Sequence, residues 1–278
     1  MEEVALRVIV ELPNWEMHVV GTATVIGSFL AITAKHVVSA ALNYCRTKTT
    51  TGGETVVESG ELKLLQILPG PIYRFWAVSK AWSSSSDIAV LHLRADRMSE
   101  PNQEISWRSL AVRALPPSSG EKVIAFGFRE SQIHISKKSD GSVHIDLRDK
   151  PTTSAGTVGQ VFSDRRDSSM LNFPCFEVHA QFAGGMSGGV VLDEVGQLCG
   201  LVCAGTDFVD PNAPPLSYAV TLWPFLTIVI SADRGNSYPR GVQYPIIDLA
   251  LDKIIIVSQL ENLNPQYFSG RTLPGRSE

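Results

Sequence analysis

Two successive β domains with little helix are what this sequence predicts, and three observations predict it. Short runs rich in Val, Ile, Leu, Phe and Thr recur at fairly even spacing, each bounded by Gly, Pro, Ser or Asn, which is the pattern of β-sandwiches and barrels. The stretch Leu115-Pro116-Pro117-Ser118-Ser119-Gly120 has linker composition and divides these runs into two sets. Helical periodicity stays weak until the C-terminal part of the chain.

In the first half the strand-like runs are Ala5–Leu12, His18–Ile26, Phe29–Thr33, Leu62–Leu68, Ile72–Val78 and Ile88–Leu93. The second half offers Lys122–Phe128, Ser142–Leu147, Ser154–Phe162, Cys175–Gln181, Gly188–Leu192, Leu198–Ala204 and Leu216–Leu222. Ala34–Leu42 reads as one short helix, and Trp223-Pro224 opens another through Ile230, with Pro at an early position. From Pro245 to Leu260 the residues Ile247, Ala250, Leu251, Ile254 and Val257 recur at helical spacing, as in a helix packed on the body of the protein. The expected division is a first domain over 1–114, a linker over 115–121, a second domain over 122–230 and a C-terminal extension over 231–278.

The chain has 278 residues, 44% hydrophobic and 19% charged, an ordinary globular composition, and a net charge of −4 that leaves no electrostatic footprint for nucleic acid or anionic lipid. Its most apolar segment, Ile246–Leu260, is too short to span a bilayer and carries Asp248, Asp252 and Lys253. Residues 1–4 lack the basic and apolar regions of a secretory signal, so a cytoplasmic protein with reduced thiols is expected. The four cysteines are too few for a disulfide scaffold. Cys175-x3-His179 and Cys199-x3-Cys203 read as residues on or near buried strands rather than as a zinc site.

Chemistry concentrates in Gly184-Gly185-Met186-Ser187-Gly188-Gly189. A nucleophilic serine needs a tight turn that exposes its hydroxyl, glycines that let backbone approach closely, and N–H groups aimed at a developing oxyanion. A glycine-rich hairpin turn gives the same letters, so chain order has to decide. All six histidines precede Ser187, which excludes the order Ser, acid, His of the α/β-hydrolases. Asp87 is the first Asp in the chain, which excludes Asp, His, Ser for His36. The order His, Asp, Ser remains. His36 stands where Ile32-Thr33-Ala34 ends a strand, and Asp87 stands where Ser83-Ser84-Ser85-Ser86 enters the apolar run Ile88–Leu91. Paired, Asp87 would fix the tautomer of His36 and stabilise its imidazolium.

Thr33-Ala34-x-His36-Val37, Asp87-Ile88-Ala89-Val90-Leu91 and Gly185-x-Ser187-Gly188-Gly189, in this order and spacing, resemble the trypsin/chymotrypsin superfamily of serine peptidases. The flavour is bacterial, similar to the high-temperature-requirement proteases, and the likeness runs from about Gly21 to Leu222. It implies an all-β fold of two six-stranded antiparallel β-barrels with short C-terminal helices, and an active site in the cleft between the barrels. His36 and Asp87 would come from the first barrel and Ser187 from the second. The N–H groups of Gly185 and Ser187 would form the oxyanion hole. Cys203, Ala204 and Gly205 would pair with the backbone of a polypeptide substrate, and Gln181, Phe182, Gly205 and Leu216 would wall an uncharged specificity pocket. No metal or other cofactor is implied.

Departures from the family pattern carry meaning too. Met186 stands where secreted zymogens have an Asp, and no Ile-Val-Gly-Gly stretch is present, so activation by N-terminal cleavage is not expected. Cys203 replaces a hydroxyl residue that commonly contacts the orienting acid. Restraint would come from a regulatory protein or a fused module, with Pro245–Leu260 as a contact. A catalytically silent peptide-binding module on the same fold is the alternative, and an esterase would use the same residues.

Overall fold

The computed structural model describes residues 1–12, 16–46, 48–57, 61–69, 72–96, 107–137, 143–205, 214–231 and 242–263. The first half forms β1 (Ala5–Glu11), β2 (Met17–Gly27), β3 (Leu30–Thr33), α1 (Lys35–Leu42), β4 (Lys48–Thr51), β5 (Glu54–Val57), β6 (Leu62–Leu68), β7 (Ile72–Ser83) and β8 (Ala89–Ala95). Six of these strands pair antiparallel in a ring, β1-β6-β7-β8-β3-β2, and the β1–β2 ladder closes it. Closure leaves no free edge, and strand alternation sends Leu6, Val8, Val10, Ala23, Val25, Leu64, Val78 and Leu91 inward.

A second ring follows. It uses β9 (Val112–Arg113) as an outside strand, then β10 (Lys122–Lys137), β11 (Val143–Phe162), β12 (Cys175–Val178), β13 (Val190–Leu192), β14 (Leu198–Gly205) and β15 (Ser217–Thr221). Antiparallel pairing runs β10-β11-β12-β15-β14-β13 and returns to β10. Its interior holds Val123, Ala125, Val158, Phe176, Val178, Val191, Cys199 and Ala219. The structure is therefore two six-stranded antiparallel barrels, as the resemblance implies. The linker is stapled at its ends: both terminal nitrogens of Arg113 donate to Glu121, at 2.7 and 3.1 Å, and Ser118 N–H donates to the same carboxylate at 2.9 Å.

A third apolar cluster lies between the barrels. Ile26, Ile32 and Val90 of the first barrel meet Phe126, Phe128, Val190, Leu201 and Val220 of the second. The C-terminal residues join this cluster. After a 3-10 turn over Trp223–Thr227, β16 (Val229–Ser231) pairs with β17 (Gln243–Pro245), α2 (Ile246–Leu251) follows, and β18 (Val257–Ser258) runs parallel to β9. Ile246 and Leu249 of α2 are buried in the central cluster, each worth about 1.5–3 kcal/mol of apolar burial. The expected helix over Pro245–Leu260 is thus a single short one. The described part of 231–278 is integral to the core, while 232–241 and 264–278 lie outside the described residues.

One more element departs from expectation. The runs predicted at Ser142–Leu147 and Ser154–Phe162 are one strand, β11, paired with β10 from Lys122↔Thr157 to Lys137↔Val143; Ser142 itself is outside the described residues. The far end of this hairpin leaves the second barrel and lies on the outer face of the first, where Ile133 packs with Ile9, Met17, Leu65 and Phe75. That covering explains why β1 is buried on both faces.

Candidate active site

The site begins where β3 ends. Ala34, extended at φ −68° and ψ 138°, caps α1, so His36 falls in the first helical turn with its imidazole 45% exposed. Facing it, Ser84 turns the chain ahead of β8: its hydroxyl accepts the N–H of Ser86 at 3.0 Å. That turn delivers Asp87 with its side chain 10% exposed. The buried carboxylate is answered on both oxygens: Oδ1 accepts the backbone N–H of His36 at 2.9 Å, and Oδ2 accepts Nδ1–H of the ring at 2.8 Å. A carboxylate on Nδ1 fixes the proton there and leaves Nε2 with a free lone pair.

Ser187 arrives from the second barrel on a turn that only glycines permit. Gly185 has φ +93° and Gly188 φ +76°, both left-handed. A Cβ on Gly188 would run into the carbonyl oxygen of Thr22 and the hydroxyl of Thr33, which themselves are hydrogen-bonded at 2.6 Å. The N–H of Thr22 donates to the carbonyl of Ser187 at 2.9 Å. A Cβ on Gly21 would stand 2.9 Å from that same carbonyl and 2.8 Å from the methyls of Val37, the neighbour of His36. The serine turn is therefore seated on β2 and on the end of β3. The N–H groups of Met186, Gly188 and Gly189 are taken by Ala183, Val202 and Met186 carbonyls. Among the described residues those of Gly185 and Ser187 have no acceptor, and no hydrogen bond joins Ser187 Oγ to His36 Nε2.

The remaining predicted residues are distributed around this turn. Val202 exchanges hydrogen bonds with Gly188 and Gly189, and past it the only strand paired with β14 among the described residues is β15, so Cys203–Gly205 keeps one open edge. Cys203 Sγ donates to the Tyr218 carbonyl at 3.3 Å; burial, and then the charge of Asp87, push this thiol well above its ordinary range. Phe182 is buried with the second-barrel core, its N–H on Ser217 Oγ at 2.8 Å, and its carbonyl oxygen lies against Gly205. Gln181 is exposed, and Leu216 is half-buried against the central cluster. Beside the His36–Asp87 pair lies an open depression of about 250 Å³, lined also by Lys35, Ser39, Asn172 and Phe173. Burial pushes Cys45 and Cys175 each to about 11, so these thiols stay protonated at neutral pH.

Sequence reasoning missed the floor of the serine turn. A Cβ on Gly127 would lie 2.9 Å from Met186 Cα, and one on Gly185 would lie 2.9 Å from the Phe128 carbonyl. The segment Phe126–Glu130 of β10 thus runs directly beneath the turn. A glycine inside an apolar strand signals close backbone approach, and Gly127 carried that signal.

Two closed antiparallel barrels joined by a common core, with a histidine–aspartate pair on one and a glycine-flanked serine turn from the other, define a chymotrypsin-like protein. The trypsin-like peptidase domain family matches residues 21–201, and the chain belongs to that family, a class of hydrolases. No curated protein matches the sequence. Among solved structures the chain is similar to the Rv3671c protease from M. tuberculosis in its active form, at 16% identity, 80% of this chain, 78% of that one and a TM-score of 0.47. It is also similar to the MamO protease domain from Magnetospirillum magneticum, at 14% identity, 79% and 92% coverage and a TM-score of 0.48. The HtrA-type protease AlgW, solved with a decapeptide, matches at 13% identity, 79% and 61% coverage and a TM-score of 0.44.

Proposed function

We propose that this peptidase is a serine endopeptidase working through His36, Asp87 and Ser187. One observation carries the reading: a buried carboxylate with both oxygens committed to His36, beside the backbone seat of the Ser187 turn. Ser187 Oγ attacks the scissile carbonyl while His36 Nε2 takes its proton, and Asp87 holds the resulting imidazolium. The N–H groups of Gly185 and Ser187 receive the oxyanion. His36 then returns the proton to the leaving amine, leaving an acyl group on Ser187, and water activated by the same imidazole releases it. The polypeptide substrate lies along the open edge of Cys203–Gly205, with its side chain against Gln181, Phe182, Gly205 and Leu216. We place the enzyme in a reducing, cytoplasmic setting, consistent with four buried free thiols. We also propose gating by a partner protein or attached module. With Ile246 and Leu249 committed to the core, the contact on this segment falls to the exposed Leu251, Ile254 and Ile256.

The alternative reading is a peptide-binding module without turnover, in which the Ser187 hydroxyl is not activated. Labelling by a fluorophosphonate probe decides between them. Labelling that disappears in Ser187→Ala supports the endopeptidase, and folded wild-type protein that stays unlabelled supports the binding module.

A further inference from the structure

The residue under the serine turn is itself held from the opposite barrel. Phe128 is 1% exposed, its ring edge-on to Phe126 at 5.3 Å, and three further neighbours bear on the site. Its N–H reaches Thr22 Oγ1 on β2 at 3.4 Å, its carbonyl oxygen lies 2.9 Å from where a Cβ on Gly185 would stand, and its ring carries the guanidinium of Arg7 at 3.7 Å from the centroid. Arg7 lies on β1, is 1% exposed, and donates from Nε to Asp149 Oδ2 at 2.5 Å; Glu2 is a second, more distant carboxylate at 3.7 Å. Asp149 sits in the part of β11 facing the β10 bulge between Arg129 and Gln132, where Glu130 adopts a left-handed φ of +48°. One side chain of the first barrel therefore grips both strands of the hairpin at the bend that passes under Gly185.

We propose that Arg7 is a positioning residue for the oxyanion donors, acting through Phe128 and the bulge between Arg129 and Gln132; this rests on the serine mechanism above. Stability alone is a weak reason for this pair. A buried ion pair is often matched or bettered by apolar residues of equal volume, and here Nη1 of Arg7 is buried with no partner. A guanidinium does supply direction, since its plane stacks on the ring while its Nε–H holds one oxygen of the Asp149 carboxylate. Direction matters at Gly185, because its N–H must point at an oxygen that exists only in the tetrahedral state. A shift of about 1 Å in such a group can cost about 100-fold in rate.

The test compares wild type with Arg7→Met/Asp149→Leu, a pair chosen so that no lone charge stays buried. With p-nitrophenyl acetate as substrate, kcat falls about 10- to 100-fold while KM stays within about twofold, and the rate of fluorophosphonate labelling falls with kcat. Phe128→Leu, which keeps burial but removes the ring, reproduces the loss and serves if the double variant does not fold. Lys63→Met is the control, because it breaks two other ion pairs of the first barrel, with Glu11 and with Asp96, and leaves kcat unchanged. Undiminished kcat in either folded variant, or an equal loss in Lys63→Met, overturns the positioning role. Wild-type protein that never reacts overturns the serine mechanism on which it rests.

Discussion

Replacing Asp87 by Asn exchanges one oxygen for an NH2 group and should remove most of the activity while leaving the fold in place. Oδ1 of Asp87 accepts a backbone N–H, which can only donate, so the Asp87→Asn amide must keep its oxygen at that position. Its NH2 group then faces Nδ1 of His36. Nδ1 must become the acceptor, and the ring proton moves to Nε2. That tautomer has no lone pair for the proton of Ser187 Oγ, and no negative charge remains to stabilise an imidazolium. The corresponding change in well-studied triads lowers kcat about 10⁴-fold, or about 5.4 kcal/mol of barrier. Stability should fall by only about 1 kcal/mol, because the hydrogen bond to His36 N–H survives and only its charge is lost. Hydrolysis of p-nitrophenyl acetate and fluorophosphonate labelling, read beside circular dichroism and a urea titration, measure both quantities. A folded Asp87→Asn protein that reacts within about tenfold of wild type would refute the argument.

Gly127→Ala should push Met186 off its floor, because the new Cβ would stand 2.9 Å from Met186 Cα and 3.1 Å from its carbonyl oxygen. A stability loss of about 1–3 kcal/mol and a larger fractional loss of labelling rate than of folded protein are expected, checked by urea unfolding and probe kinetics. Glu121 is held at about 2, first by its hydrogen bonds to Arg113, against an ordinary value of 4.5. Its contribution is complete above about pH 4.5 and is lost as pH falls toward 2, so Glu121→Gln should be less stable than wild type at pH 7, with the gap in urea midpoint closing over that window; a gap independent of pH would contradict the pairing.

The proposed triad residues were legible because each belongs to a short local pattern. His36 follows a strand end, Asp87 opens a strand after a serine run, and Ser187 sits among glycines whose positive φ values the turn demands. What supports them was not legible, because it depends on contacts across the whole chain. Arg7 lies in a run read as a strand, and nothing near it in sequence points to Asp149 or Phe128. Pro151 and its charged neighbours read as punctuation, yet β11 continues through them. Among the described residues only β10 pairs with β11 there, so the missing N–H of Pro151 costs no second ladder. Gly52-Gly53 was a readable signal that went unused: both residues have positive φ and join β4 to β5 in a two-residue hairpin.

The C-terminal segment shows why periodicity alone misled. Ile247, Ala250, Leu251, Ile254 and Val257 keep helical spacing, but α2 ends at Leu251, and Lys253 at φ +59° turns the chain away. Apolar residues continue past the helix because the extended chain has its own burial to satisfy. Ile255 packs against Gly27 of the first barrel, with 2.9 Å from its Cγ2 to where a Cβ would stand, and Val257 and Ser258 pair with β9 beside the second. The pattern was a record of burial across the boundary between the barrels, and the backbone met it with one short helix and a strand. Both barrels border the serine turn, through Thr22 on one side and Val202 on the other. A segment that packs on both therefore constrains how far the barrels can move relative to each other, and with them the distance from His36 to Ser187.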